Sequence, residues 1–154
     1  MPTPRLDDLD YKILGMLMVN ARKPFLEIAR LCNVSGAAIH QRIQKLTAMG
    51  VINGSVTVVN PNSVGFSTCA FIGFMLNDPS KFNDVVERLH TIPEVVECYF
   101  TTGKYDIFVK LYARNNDDLL DIIHNKFLKI GLGRSETLIT FKEVFKRQIP
   151  LQSE

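Results

Sequence analysis

The chain has no tryptophan, only three cysteines, almost no charge surplus and no long apolar run, and each lack closes off a class of protein. No eighteen consecutive residues are apolar, so no segment reads as a membrane-spanning helix. The opening MPTPRLDDLD is too polar and acidic for a secretory signal. Cys32, Cys69 and Cys98 are odd in number, widely spaced and set in apolar runs. They fit reduced thiols of a cytoplasmic protein and show no metal-ligand spacing. Also missing are a glycine-rich dinucleotide fingerprint, a phosphate-binding P-loop and a serine elbow. His40, His90 and His124 fall in three separate predicted helices, without the spacing of a metal or catalytic pair. The expectation is therefore no enzyme: no catalytic residue, no metal and no cofactor.

What is present is an ordinary globular composition, 46% hydrophobic and 22% charged, over 154 residues, enough for one domain or two small ones. The net charge of +2 says little, but its distribution says more. Residues 1–60 carry seven Lys/Arg against four Asp/Glu, and residues 61–154 carry eleven against twelve. Arg22, Lys23, Arg30, Arg42 and Lys45 against Glu27 concentrate the surplus in a short stretch, a modest phosphate-binding footprint.

That stretch also has the most informative pattern. Phe25 to Ile52 reads as an amphipathic helix, a tight turn capped by Ser35, a second helix, and a glycine stop leading to a strand. Leu26, Ile28, Ala29 and Leu31 form the first apolar stripe; Ile39, Ile43 and Leu46 form the second. Two such helices joined by about three residues are the pattern of a helix-turn-helix, whose second helix enters the DNA major groove. Ala37, Gln41, Gln44, Lys45 and Ala48 then point away from the core, flanked by His40 and Ala38. Gln41 and Gln44 can bond adenine, Lys45 or Arg42 can reach guanine or phosphate, and small Gly36, Ala37 and Ala38 allow close approach. Arg42 lies nearer the core edge, where phosphate contact or packing within the domain suits it better than base readout. Arg22 and Ser35 complete the predicted DNA-contacting set.

A preceding helix is expected from Asp7 to Met18, its acidic first turn matching the helix dipole. Pro24 suits the first turn of the next helix. After Gly50, the β-branched Val51–Val59 with Asn53-Gly54 predicts a small hairpin wing. Asn60-Pro61-Asn62-Ser63 marks a boundary between a DNA-reading domain, 1–60, and a second domain, 61–154.

The second half predicts strand 67–76, helix 80–90, strand 95–102, a type II′ turn at Gly103-Lys104, strand 105–113, helix 116–130 and strand 135–145. Two split βαβ units give a four-stranded antiparallel sheet with both helices on one face, a ferredoxin-like α+β arrangement. Both faces of strands 67–76 and 105–113 are apolar. Helices cover only one of them, which predicts that a second copy covers the other in a two-fold dimer. Thr101-Thr102-Gly103-Lys104-Tyr105-Asp106 combines a glycine turn with an acid at a strand start. That could hold the carboxylate and ammonium of a free amino acid; equally, Gly103 could only make the turn and Asp106 be a strand-end charge. A metabolite-binding module without DNA function and a small ferredoxin-like enzyme are the rival readings of the fold. The enzyme reading lacks any acid–base pair, and salt-dependent duplex binding separates the other.

Taken together, the chain resembles the Lrp/AsnC family of feast/famine transcription regulators over residues 6–145. The resemblance rests on the order and spacing of Leu6-Asp7-Asp8-Leu9-Asp10-Tyr11-Lys12-Ile13-Leu14, Asn20-Ala21-Arg22, Ile28-Ala29, Val34-Ser35, Arg42-Ile43-Gln44-Lys45-Leu46, Gly50-Val51-Ile52 and Thr102-Gly103-Lys104-Tyr105-Asp106. It implies a winged helix-turn-helix on double-stranded DNA and a ferredoxin-like effector module. It implies dimers that assemble into tetramers or octamers, and a cytoplasmic, nucleoid-associated protein. It also implies an amino-acid effector near Thr102, Gly103, Lys104, Tyr105 and Asp106, with the loop Gly133-Arg134-Ser135-Glu136-Thr137 alongside. Three departures stand out: Lys104 where an acid is common, Gly36 for a frequent proline, and Leu132-Gly133 for a frequent Gly-Val.

Overall fold

The computed structural model describes residues 5–151, which divide into two compact units. One runs to Thr57 and includes the chain from Phe145 onward; the other is Val58–Val144. Phe145 and the residues after it thus group with the first unit rather than with the second domain expected from the sequence.

The first unit is three helices: α1 (Asp8–Val19), α2 (Phe25–Cys32) and α3 (Gly36–Ala48). Asp7 caps α1, accepting from the Asp10 amide at 2.9 Å while the Asp10 side chain accepts from the Asp7 amide at 3.1 Å, a reciprocal capping box. Pro24 is the cap of α2 rather than its first residue. Between α2 and α3, Asn33 adopts φ 55°, a left-handed conformation asparagine tolerates, and reverses the chain in three residues. Ile13, Ile28, Ala29 and Ile39 form the shared core, with Leu9, Leu17, Val34 and Ile43 packed around it. Burying such a set is the main stabilising term for helices this short.

The expected wing is not a paired hairpin. The amides of Val51 and Ile52 donate to the Leu46 carbonyl at 2.9 and 3.2 Å, so both residues finish α3. Asn53 does not take the positive φ that a type I′ turn needs, and residues 53–60 carry no ladder. Val56 and Val58 are exposed.

The second unit is β1 (Thr68–Leu76), α4 (Phe82–His90), β2 (Val95–Phe100), β3 (Ile107–Ala113), α5 (Asn116–Asp121) and β4 (Leu132–Thr140). The sheet order β2-β3-β1-β4, all neighbours antiparallel, is the ferredoxin-like one. Ala70, Ile72, Phe74, Ile107, Val109 and Leu111 point to the helices and meet Val85, Leu89, Leu119, Ile122 and Phe127. Phe74 and Phe127 meet edge to face at 5.3 Å.

Three local details differ from the sequence pattern. The hairpin between β2 and β3 is a four-residue loop, Thr102–Tyr105, closed by Thr101 N–H to the Asp106 carbonyl at 3.0 Å and Thr101 Oγ1 to the Tyr105 carbonyl at 2.7 Å. It is not a two-residue type II′ turn. The helix begun by α5 widens into a π turn at Ile122–Phe127 and tightens at Leu128–Ile130. The last strand starts three residues earlier than expected and ends at Thr140, because residues 141–151 leave the ladder.

Candidate functional site

The reading helix of the first unit is built by its caps and its buried edge. The Ser35 hydroxyl accepts from the Ala38 amide at 3.1 Å, starting α3, and Ile39 and Leu46 are fully buried. That fixes the opposite side outward: Ala37, His40, Gln41, Gln44 and Lys45 are all exposed. Polar, flexible donors and acceptors along one outer face match what base edges and phosphates offer. His40 sits 6.0 Å from the Phe25 ring, at the flank of that face. Arg22 is exposed in the turn before α2, its amide donating to Asn20 Oδ1 at 3.0 Å.

Two residues predicted for DNA contact also have partners within the domain. A Cβ on Gly36 would stand 3.0 Å from Leu26 Cδ2, so α3 starts close against the α2 side chain. Arg42 is half-buried, and its guanidinium donates to Asp7 Oδ2 and, at 3.1 Å, to Asp10 Oδ1. The hydrogen bond from Arg42 and that from the Asp10 amide hold the Asp7 carboxyl below its ordinary 3.8. Asp10, buried on α1, thus has its charge matched.

In the second unit, Met75, Lys104, Tyr105, Arg134, Ser135 and Glu136 line a hollow of about 250 Å³. Its geometry comes from an irregularity in the sheet. Phe74 pairs with Ser135 but Leu76 with Leu132, so β4 carries one extra residue across this step. Such a bulge re-aims the side chains beside it, here Arg134. A Cβ on Gly133 would lie 2.6 Å from the Met75 carbonyl oxygen, so only glycine fits the bulge. Gly73 performs the matching service on β1: a Cβ there would lie 2.5 Å from Tyr105 Cγ, and its absence lets the Tyr105 ring lie over the strand. Lys104 Nζ bonds Glu136 Oε2 at 2.7 Å and stands 4.9 Å from the Tyr105 ring centre. Arg134 is exposed and has no ion pair among the described residues.

Of the predicted effector residues, Lys104, Tyr105, Ser135 and Glu136 come together, while Thr102, Gly103 and Asp106 do not line the hollow. The Asp106 carboxylate accepts from the Leu76 amide at 2.8 Å, on the β3 side of β1, just beyond the point where β3 begins at Ile107. This gives it a strand-end role. Met75 was not among the predicted residues; it lies on β1 at the bulge and lines the hollow with Arg134. A second hollow, about 290 Å³, is lined by Val59, Val64, Phe66, Val96 and Tyr112 and is mostly apolar.

The face of the sheet away from the helices holds Phe71, Phe108, Tyr99, Tyr112 and Leu138, with Phe71 stacked on Phe108 at 5.8 Å. Lys110 lies at its centre, 7% exposed, with Glu97 at 3.7 Å and Glu143 at 3.8 Å. Burial works against its charge, but Tyr112 and Glu97 outweigh it and hold the ammonium above its ordinary 10.5.

A helix-turn-helix with a polar outer face, joined in one chain to a ferredoxin-like module with a charged hollow, defines a DNA-binding regulator. Residues 6–47 match the AsnC-type helix-turn-helix domain and residues 69–150 the Lrp/AsnC ligand binding domain. The chain belongs to the Lrp/AsnC family of transcriptional regulators, which are not enzymes. It is 36% identical to the regulatory protein AsnC of Escherichia coli over 94% of this chain and 95% of that one. It is 35% identical to the transcriptional regulator FL11 of Pyrococcus furiosus, over 89% and 90%. The solved structure of E. coli AsnC superposes with a TM-score of 0.90, covering 95% of this chain and 99% of that one at 35% identity. A feast or famine regulatory protein from M. tuberculosis, complexed with L-methionine, superposes at 0.87 over 95% and 100%, at 26% identity. No helix among the described residues is long and apolar enough to cross a membrane.

Proposed function

We propose that this regulator reads DNA through Ala37, Gln41, Gln44 and Lys45 of α3 and binds a free amino acid in the hollow between the β2–β3 loop and β4. One observation carries the effector assignment. A cation without an ion pair (Arg134), a paired cation and anion (Lys104, Glu136) and two apolar walls (Met75, Tyr105) converge on about 250 Å³. A zwitterion needs this combination: Arg134 takes the carboxylate, and the ammonium exchanges for Lys104 at Glu136. The L-methionine complex of the mycobacterial relative supports an amino acid as the ligand class.

The open face of the sheet is the dimer surface in this reading. Stacked aromatics around a lysine whose charge is paired with Glu97 and Glu143 suit a self-complementary, two-fold contact. A dimer carries two α3 helices, which meet half-sites about one helical turn apart or a multiple of it. Assembly beyond the dimer, with ligand favouring one assembly over another, completes the mechanism; the shift is bounded by the ligand's differential affinity for the two states. Acting on DNA places the protein in the cytoplasm, at the nucleoid.

The test is a thermal-shift screen of the twenty amino acids. Ligand at about 100 times Kd stabilises by about 2.7 kcal/mol, or roughly 5–10 °C for a chain of this size. An Arg134→Ala variant should lose that shift while remaining folded. A shift equal to wild type would remove Arg134 and this hollow from the effector site. Sedimentation equilibrium at micromolar concentration tests the dimer, and a monomer there refutes it.

A further inference from the structure

We infer that Arg42 does not touch DNA but is a positioning residue that sets the angle at which α3 presents Gln41, Gln44 and Lys45. The inference rests on the DNA-reading role of α3 given above.

Arg42 lies on the reading helix between Gln41 and Gln44, and by charge and place it looks like a phosphate contact. Its guanidinium is nevertheless committed. It donates to Asp7 Oδ2 and to Asp10 Oδ1, the two carboxylates that also hold the capping box of α1. Each carboxylate serves both helices: Asp7 accepts the Asp10 amide and Arg42, and Asp10 accepts the Asp7 amide and Arg42. The first turn of α1 and the middle of α3 are therefore joined by one planar group bonded to two fixed acceptors. Asp10 is 1% exposed, so moving Arg42 outward to a phosphate leaves a buried carboxylate uncompensated.

The join also sits where it controls direction. Ile13 of α1 and Ile39 of α3 share the apolar core with Ile28 and Ala29 of α2, a contact whose attraction has no direction of its own. Non-directional packing sets distance, whereas Nη1, whose two hydrogens lie fixed in the guanidinium plane and go to two different carboxylates, sets orientation. Lysine at this position keeps the charge but not the planar, fixed N–H directions.

The probes are a duplex selected from a random pool by the wild-type chain and a scrambled duplex of the same composition. Binding is followed by fluorescence anisotropy across a series of KCl concentrations. If Arg42 positions α3, Arg42→Lys weakens the selected duplex about tenfold, the loss of one misaligned base contact. It leaves the scrambled duplex and the slope of log K against log[KCl] unchanged. Asp10→Asn gives the same loss of discrimination, although it removes a negative charge. If instead Arg42 is a phosphate contact, Arg42→Gln lowers the slope by about 0.9 for each chain on the duplex and weakens both duplexes alike. Asp10→Asn then strengthens binding, because it frees the guanidinium. The opposite sign of the Asp10→Asn effect decides the matter, and tighter binding by that variant overturns the inference. A variant that only loosens the fold lowers the melting temperature and scales both duplexes together at partial unfolding. Assays at 15 °C with the folded fraction set by circular dichroism remove that contribution, and an unchanged selected-to-scrambled ratio under those conditions also overturns the inference. Failure of the wild-type chain to retain any duplex from the pool defeats the DNA reading itself, and is seen before any variant is made.

Discussion

Gly73→Ala should deform the effector hollow without touching any residue that lines it except through Tyr105. The added Cβ would stand 2.5 Å from Tyr105 Cδ2 and Cγ and 2.8 Å from Cδ1, so it meets the flat of the ring over three atoms at once. An ordinary contact needs about 3.5 Å or more, which obliges the ring to lift by roughly 1 Å. Inserting one methyl into filled space costs about 1–3 kcal/mol. Tyr105 is only half-buried, which places this case at the low end. For a chain of this size that is a fall in Tm of about 2–4 °C. Because Tyr105 forms one wall and Lys104 lies over its ring, ligand-induced stabilisation should fall as well. The sharper readout is a double-mutant cycle. Tyr105→Ala removes the atoms with which the new methyl collides, so Gly73→Ala should be nearly neutral in that background, giving a coupling of about 1 kcal/mol. Differential scanning fluorimetry on the four proteins, with and without the amino acid that scores in the screen, measures both. Additive effects would show that the ring does not depend on Gly73 for its place, and the account of how the hollow is built would be wrong.

Asp106→Ala strips the Leu76 amide of its acceptor at the end of the β1–β3 ladder and should cost about 1–3 kcal/mol in urea unfolding. Ligand-induced stabilisation should survive it at temperatures where the protein is folded; complete loss would return Asp106 to the ligand site. Asp7 gives an acid dependence whose sign follows from its depressed folded value. The stability it confers is fully present above its unfolded value of 3.8 and is lost as pH falls through the lower folded one. The stability difference between wild type and Asp7→Asn should therefore be flat from pH 7 to 5 and shrink below about pH 4. It should stay within roughly 1 kcal/mol, because the pair is solvent-exposed. A difference that grew on acidification would contradict the pairing with Arg42. Gln41→Ala should relax preference at one base position by about 1–3 kcal/mol. Lys45→Ala should weaken all sequences alike with a slope shallower by about 0.9 per chain; no change in a titration at fixed salt would exclude either residue.

The scaffold was legible because it is periodic. Ile39, Ile43 and Leu46 can share a side only on a helix, and Ala70, Ile72 and Phe74 only on a strand, so the burial pattern follows from spacing. Ser35 announces a helix start by chemistry the backbone requires, and in the structure Asp7 and Asn115 do the same for α1 and α5. The failures came where two local rules compete. Asn53-Gly54 has the composition of a hairpin, but Val51 and Ile52 are already spent on closing α3, so no strand remains to enter it. Gly103-Lys104 looks like a two-residue turn, yet the Thr101 hydroxyl satisfies the Tyr105 carbonyl and lengthens the loop.

The effector hollow was half legible for a deeper reason. Its residues come from three segments that meet only through register, and register is where this sheet is irregular. One extra residue in β4 accompanies the meeting of Arg134 and Met75 at the hollow, and on the opposite edge of β1, where β3 gives way to the loop, the Leu76 amide needs an acceptor. Asp106 supplies it, although in the sequence Asp106 carries the most ligand-like signal of its loop. A carboxylate beside a glycine turn looks the same whether it awaits an ammonium group or finishes a ladder. The two are separable only by asking which backbone donor the start of β3 leaves without a partner. That question also orders the site by necessity. Gly73 and Gly133 are fixed by what they exclude, Asp106 by the amide it satisfies, and Lys104, Arg134 and Glu136 are the groups left with charge facing solvent. The specificity of this regulator should therefore vary with those three side chains, while the two glycines and Asp106 resist replacement whatever the ligand.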